Sequence, residues 1–154
     1  MKIGIVGSGA MGSGIAQVLA TAGNQVLLYD SNPIVVEKAG KNLESQFQKL
    51  AEKGKLIYEE AETYFDNIRL SDQLSELKDS ELIIEAIIED LEIKKELFQK
   101  LESLVSEDCI LATNTSSLSI ASIASACQKP ERVIGIHFFN PAPLMALAEI
   151  IPAV

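Results

Sequence analysis

The chain has 154 residues and a mass of 16.7 kDa, with 47% apolar and 23% charged residues, which is the size and make-up of one folded domain with a real core. Thirteen basic residues against 22 acidic ones give a net charge of −9. That argues against nucleic acid as a partner, because such binding needs basic surface to displace counterions. No run has the length of a membrane span and the apolar start is broken by glycines, so neither an anchor nor a leader is read and a cytoplasmic location is expected. Cys109 and Cys127 lack metal-ligand spacing and are expected as reduced core thiols, with no metal site.

Met1 to Val6 reads as a first strand. It runs into Gly7-Ser8-Gly9-Ala10-Met11-Gly12, then the helical pattern Ile15-Ala16-Gln17-Val18-Leu19-Ala20, then a second strand over Gln25 to Tyr29. A lone G-x-G-x-x-G is weak; between a strand and a helix it reads as a dinucleotide-binding turn. Gly7 permits the turn, Gly9 lets backbone approach a pyrophosphate, and Gly12 lets helix and strand pack closely. Ala10 and Met11 complete a turn whose free amides and helix dipole suit phosphate oxygens. Asp30 closes the second strand, 18 residues after Gly12. A carboxylate there accepts hydrogen bonds from ribose hydroxyls and repels a 2′-phosphate, so NAD rather than NADP is expected. Asp30 also has a plainer reading, as a turn former or a cap for the next helix.

From Pro33 to about Phe65 the chain is rich in helix formers with a break at Gly54, which predicts a helical hairpin carrying lysines at 38, 41, 49, 53 and 55. Asn67 to Leu70 is a short strand, and Glu81 to Glu85 an apolar run suited to a buried parallel strand. A helix follows, with Leu91, Leu97, Phe98, Leu101 and Leu104 near 3.6 spacing. Cys109 to Thr113 is a further strand that ends in Asn114-Thr115-Ser116-Ser117. Ile120 to Ala126 reads as a short helix, and Arg132 to Ile136 as another strand. The alternation predicts a single α/β domain over residues 1–154. It would be of Rossmann type, doubly wound, with a mainly parallel sheet and a helical hairpin inserted after the second strand.

The last of these strands delivers His137, the only histidine, into His137-Phe138-Phe139-Asn140-Pro141. Glu149 follows twelve residues later in an apolar stretch, Leu147 to Ile151. An imidazole titrates near neutral pH, and a carboxylate on its second nitrogen fixes its tautomer and favours its charged form. The carboxyl end of a strand is where open α/β sheets place ligands. On these residues alone, a structural histidine capping a strand fits equally well.

Together the glycine turn, Glu85-Ala86-Ile87-Ile88-Glu89 with Lys94, Asn114-Thr115-Ser116-Ser117-Leu118 and the His137 segment with Glu149 resemble the nucleotide-binding half of the L-3-hydroxyacyl-CoA dehydrogenases, and among these the bacterial 3-hydroxybutyryl-CoA enzymes. The resemblance implies interconversion of a 3-hydroxyacyl-CoA and its 3-keto form with NAD, in fatty acid β-oxidation or butanoate metabolism. It makes His137 the catalytic base, Glu149 its partner and Ser116 the hydrogen-bonding group for the substrate oxygen. Asn114 and Asn140 would lie near nicotinamide and substrate, Glu89 and Lys94 on the NAD side, and Lys53 on an arm meeting a CoA phosphate. Each has a plainer reading: Ser116 as a helix cap, the asparagines as turn formers, Glu89 and Lys94 as a solvated helix terminus, most lysines as a solvated face.

Two departures from the family pattern stand out. Met145-Ala146-Leu147 has alanine where the family often has lysine. The family also has a second, helical domain that closes the substrate cleft and carries most of a homodimer interface, and nothing in the chain corresponds to it. The expectation is therefore one domain of a longer, dimeric protein, nearly inactive in isolation. Two rivals remain open: a dehydrogenase of free hydroxy or sugar acids, and a non-catalytic NAD-binding module.

Overall fold

Parallel strands buried on both faces need near-continuous apolar sequence, and the chain supplies it five times. In the computed structural model, which describes residues 1–153, these runs become β1 (Lys2–Val6), β2 (Gln25–Tyr29), β4 (Leu82–Glu85), β5 (Ile110–Thr113) and β6 (Val133–Phe138). With β3 (Ile68–Ser71) they pair in parallel. A last strand, β7 (Ala148–Pro152), pairs antiparallel with β6.

 Strand β7 spans Ala148–Pro152 and completes a sheet ordered β3-β2-β1-β4-β5-β6-β7. The order turns back on itself between β1 and β4, so the loops leaving β1, β4, β5 and β6 gather round one crevice at the carboxyl ends of the strands, the place where doubly wound sheets bind ligands.

Two of these details differ from expectation. β6 runs on through His137 to Phe138, so the histidine lies inside the strand and not just past it. β7 was not expected as a strand. All five of its residues are exposed, so it lacks the buried alternation that marks a strand in sequence; pairing with β6 alone defines it.

The helices form where local signals place them. α1 (Ala10–Thr21) begins at the glycine turn. α2 (Pro33–Glu52) starts with proline at its first position, and the Asn32 side chain accepts from the Ile34 amide. It buries Val36, Ala39, Leu43, Phe47 and Ala51, a stripe at helical spacing. The chain reverses at Gly54 into α3 (Tyr58–Asp66), which completes the expected hairpin. α4 (Leu91–Leu104) is capped by Asp90 and the short α5 (Ile120–Ala124) by Ser119, the latter ending two residues before its expected limit.

Alternate strand residues feed two cores. Ile5, Ile84 and Ala112 pack with Ile15, Leu43 and Phe47 on the α1–α3 side, while Val6, Ile83 and Leu111 pack with Phe98, Leu101 and Ile123 under α4 and α5. Cys109 and Cys127 are free thiols in the second core, and burial pushes each up to about 11, so both are protonated at neutral pH. Among the described residues no helix is long and apolar enough to cross a membrane, and no cluster of His, Cys, Asp and Glu is arranged to hold a metal ion.

Candidate active site

The glycine turn is tightly determined. Gly7 has φ +104°, and a Cβ there would lie 2.6 Å from the Ala86 carbonyl oxygen; a Cβ on Gly12 would lie 1.7 Å from the Gly7 oxygen. Both positions exclude a side chain because β1, α1 and the loop after β4 meet there. Gly9 differs, since a Cβ there would meet nothing within 4 Å. It is also the N-cap of α1 and offers the helix no side-chain acceptor. Ala10 and Met11 thus open a helix whose first amides and positive dipole end look onto free space, a cradle that fits a pyrophosphate.

Asp30 follows β2 and faces this turn. Its Oδ2 accepts from the Ser8 amide at 3.0 Å and the Ser8 hydroxyl at 2.9 Å, and its Oδ1 accepts from the Asn32 amide at 3.1 Å. The carboxylate therefore braces the glycine turn and starts the next one, whereas the cap of α2 is Asn32. With Gly7, Tyr29, Ile93 and Lys100 it lines a cleft of about 240 Å³ beside the turn.

His137 and Glu149 are brought together by strand register. They are direct partners across β6 and β7, so their side chains leave the same face, and His137 Nδ1 lies 3.1 Å from Glu149 Oε2. The imidazole is 19% exposed and the carboxylate 51%. The Phe139 ring meets the imidazole edge-on at 4.7 Å between centroids. Asn114, at the end of β5, accepts from the Phe138 amide at 2.8 Å and so ties its strand to the one carrying the histidine. That is an interstrand brace and not a local turn.

His137, Asn114, Ser116, Asn140, Glu89 and Lys94 all line one cavity of about 320 Å³, which Met11 of α1 also reaches. The glycine turn and the histidine pair thus share a crevice. Ser116 is exposed there and does not cap α5, a role taken by Ser119. Asn140 is exposed at a bend just past β6.

Lys94 corrects the reading of a solvated helix terminus. Its side chain is only 1% exposed, and its ammonium lies 2.5 Å from Glu85 Oε1 and 3.7 Å from Glu89 Oε2. Glu89, at the rim, fits that reading better, yet it too is engaged. Burial opposes its ionisation, but the Thr115 hydroxyl, the Lys94 ammonium and the Ser117 and Leu118 amides outweigh this and hold its pKa below the ordinary glutamate value. Glu85 was missed as a site residue, although a glutamate ending a run expected to be buried on both faces was a visible signal.

The helical hairpin forms one wall of a second space. A groove of about 730 Å³ runs from Ser8 and Gly9 along α1 and α2 to Asn140. Among the described residues Lys38, Lys49, Lys53 and Lys55 line it, and no carboxylate does. In a chain of net charge −9 this is a local concentration of positive charge. Lys53 stands exposed at the carboxyl end of α2, whereas Lys41 points elsewhere and pairs with Glu37.

Comparison with known proteins agrees with this geometry. The sequence profile described as 3-hydroxyacyl-CoA dehydrogenase, NAD binding domain, matches residues 2–154. The chain is 45% identical over 151 residues to 3-hydroxybutyryl-CoA dehydrogenase of Clostridioides difficile, covering 98% of itself and 54% of that protein. It is 44% identical to the probable 3-hydroxybutyryl-CoA dehydrogenase of Bacillus subtilis, covering 97% and 52%. A crystal structure of 3-hydroxybutyryl-CoA dehydrogenase from Escherichia coli K12 superposes with a TM-score of 0.95 at 41% identity, over 97% of this chain and 32% of that one. The chain spans about half the length of these two curated relatives. It belongs to the 3-hydroxyacyl-CoA dehydrogenase family, as an NAD-binding domain of that family.

Proposed function

We propose that the protein carrying this domain interconverts (S)-3-hydroxyacyl-CoA and 3-ketoacyl-CoA by NAD-dependent hydride transfer. The observation that carries the reading is the His137–Glu149 pair opening on a cavity that adjoins the glycine turn. The glycine turn and Asp30 would hold NAD, which would supply the hydride acceptor and donor for this chemistry. Glu149 accepts from Nδ1–H of His137, which leaves Nε2 as the ring nitrogen that takes the hydroxyl proton on oxidation. In the reverse direction the imidazolium returns that proton to the carbonyl oxygen. Ser116 shares the substrate oxygen, and Asn114 and Asn140 orient the reacting groups beside the nicotinamide. Asp30 serves the adenosine ribose, with Gly7, Gly9, Ala10, Met11 and Gly12 at the pyrophosphate and Glu89 and Lys94 at the nicotinamide end.

The lysine-lined groove favours an acyl-CoA over a free hydroxy acid, because a nucleotide-tailed thioester has phosphates to place there and a small acid has none. Lys53 is the residue assigned to a CoA phosphate. A base with its own orienting carboxylate likewise favours an enzyme over a passive NAD-binding module. A cytoplasmic homodimer working in fatty acid β-oxidation or butanoate metabolism completes the proposal. The test is His137→Gln in the complete protein, with turnover expected to fall about 10²–10⁴-fold while NADH affinity is unchanged. Wild-type turnover in that variant refutes the base. Failure of free CoA to compete with the substrate favours the free-acid reading instead.

A further inference from the structure

Beneath the cavity lies a closed circuit of polar contacts whose buried members, Glu85 and Thr113, have no part in the proposed chemistry. Glu85, with a fully buried side chain, accepts from the Ile87 amide at 2.7 Å, from the Lys94 ammonium at 2.5 Å and from the Thr113 hydroxyl at 2.7 Å. Thr113 is its register partner on β5 and is itself buried. The Thr113 hydroxyl also accepts from the Thr115 amide at 3.1 Å, and the Thr115 hydroxyl donates to Glu89. Glu89 returns the circuit to Lys94 at 3.7 Å. Ser116 sits between the two residues, Thr115 and Ser117, that Glu89 holds.

An ion pair removed from water adds little net stability, since desolvation offsets the attraction and a well-packed apolar pair often does as well. What such a pair does supply is position. Neither Glu85 nor Thr113 faces the cavity, whereas Lys94, Glu89 and Ser116 line it. We propose that Glu85, seconded by Thr113, is a positioning residue: it fixes the Lys94 ammonium and, through Glu89, the Ser116 loop at the nicotinamide end of the cofactor site. This rests on the reading of that cavity as the nicotinamide end.

The test titrates the 154-residue chain with NADH and, separately, with ADP, which shares the adenosine and pyrophosphate but lacks the nicotinamide riboside. The unmodified chain is expected to bind NADH more tightly than ADP. If it does not, the cavity is not the nicotinamide end and the proposal falls with that reading. Given that preference, Glu85→Gln is expected to weaken NADH about tenfold or more and ADP by less than about twofold, with Thr113→Val moving the same way by less. On a Lys94→Met background Glu85→Gln should add nothing, because Glu85 acts through Lys94.

Folding is controlled by the pair Glu85→Leu with Lys94→Met, which should hold the melting temperature of the unmodified chain while losing the preference for NADH over ADP. NADH and ADP weakening in parallel would show a merely structural role and overturn the proposal. So would an undiminished Glu85→Gln effect on the Lys94→Met background, or a double variant that keeps the preference.

Discussion

Asp30 shows how one side chain can serve two demands at once. In the structure its carboxylate holds the Ser8 amide and hydroxyl, a contact that keeps the glycine turn closed against β2. The same carboxylate lines the cleft beside that turn, where the ribose of a dinucleotide would bring two hydroxyl donors and a 2′-phosphate would bring repulsion. Asp30→Ala should therefore do two separable things. The NAD over NADP preference should narrow, read by calorimetric titration with each dinucleotide. Stability should fall by about 1–3 kcal/mol, because a partly buried amide loses its acceptor. An unchanged preference together with lowered stability would make Asp30 a brace alone.

At the scale of elements, the site is made where loops meet, and steric exclusion decides its shape. At Gly12, α1 packs so closely on the turn after β1 that a Cβ would overlap the Gly7 carbonyl. Gly12→Ala should force helix and strand apart, costing about 1–3 kcal/mol of stability and weakening NADH binding tenfold or more, because the amides that form the cradle move with the helix. Melting curves and titration read the two effects. Unchanged NADH affinity would mean that the cradle is formed without this packing.

That glycine spacing was legible in the sequence because it is a local steric rule, and so were the buried strands and the helical hairpin. β7 was not. Its residues are exposed and, among the described residues, its only strand neighbour is β6, so nothing in its own pattern separates it from a loop. The burial of Lys94 was hidden for a related reason: it lies in the first turn of α4, nine residues past Glu85, and which face of a helix meets a buried carboxylate is settled by packing and not by local order. Conversely, a histidine and a glutamate twelve residues apart were visible as candidates, but only the antiparallel register turns that separation into a 3.1 Å contact.

For the molecule as a whole, the question is whether this chain can turn over substrate by itself. The proposed base, its carboxylate partner and the dinucleotide turn lie together, so a count of residues predicts activity. The surroundings predict otherwise. Glu149 is 51% exposed, and Leu144, Met145, Leu147 and Ile150, in β7 or the segment leading to it, all present apolar surface to solvent. A carboxylate wet on that side attracts the imidazolium less strongly than one in a closed site. General-base catalysis is also only part of the barrier reduction, and much of the rest comes from holding the reacting carbon and nicotinamide in register with water excluded. On the proposed reading the lysine groove would hold an acyl-CoA by its nucleotide end and leave its acyl end free to move. The chain should therefore bind NADH and CoA yet oxidise NADH with acetoacetyl-CoA more than about tenfold slower than a complete enzyme of the family, a barrier difference above about 1.4 kcal/mol. A steady-state assay of the two side by side decides it, and turnover within tenfold would show that one wall of the cleft is enough.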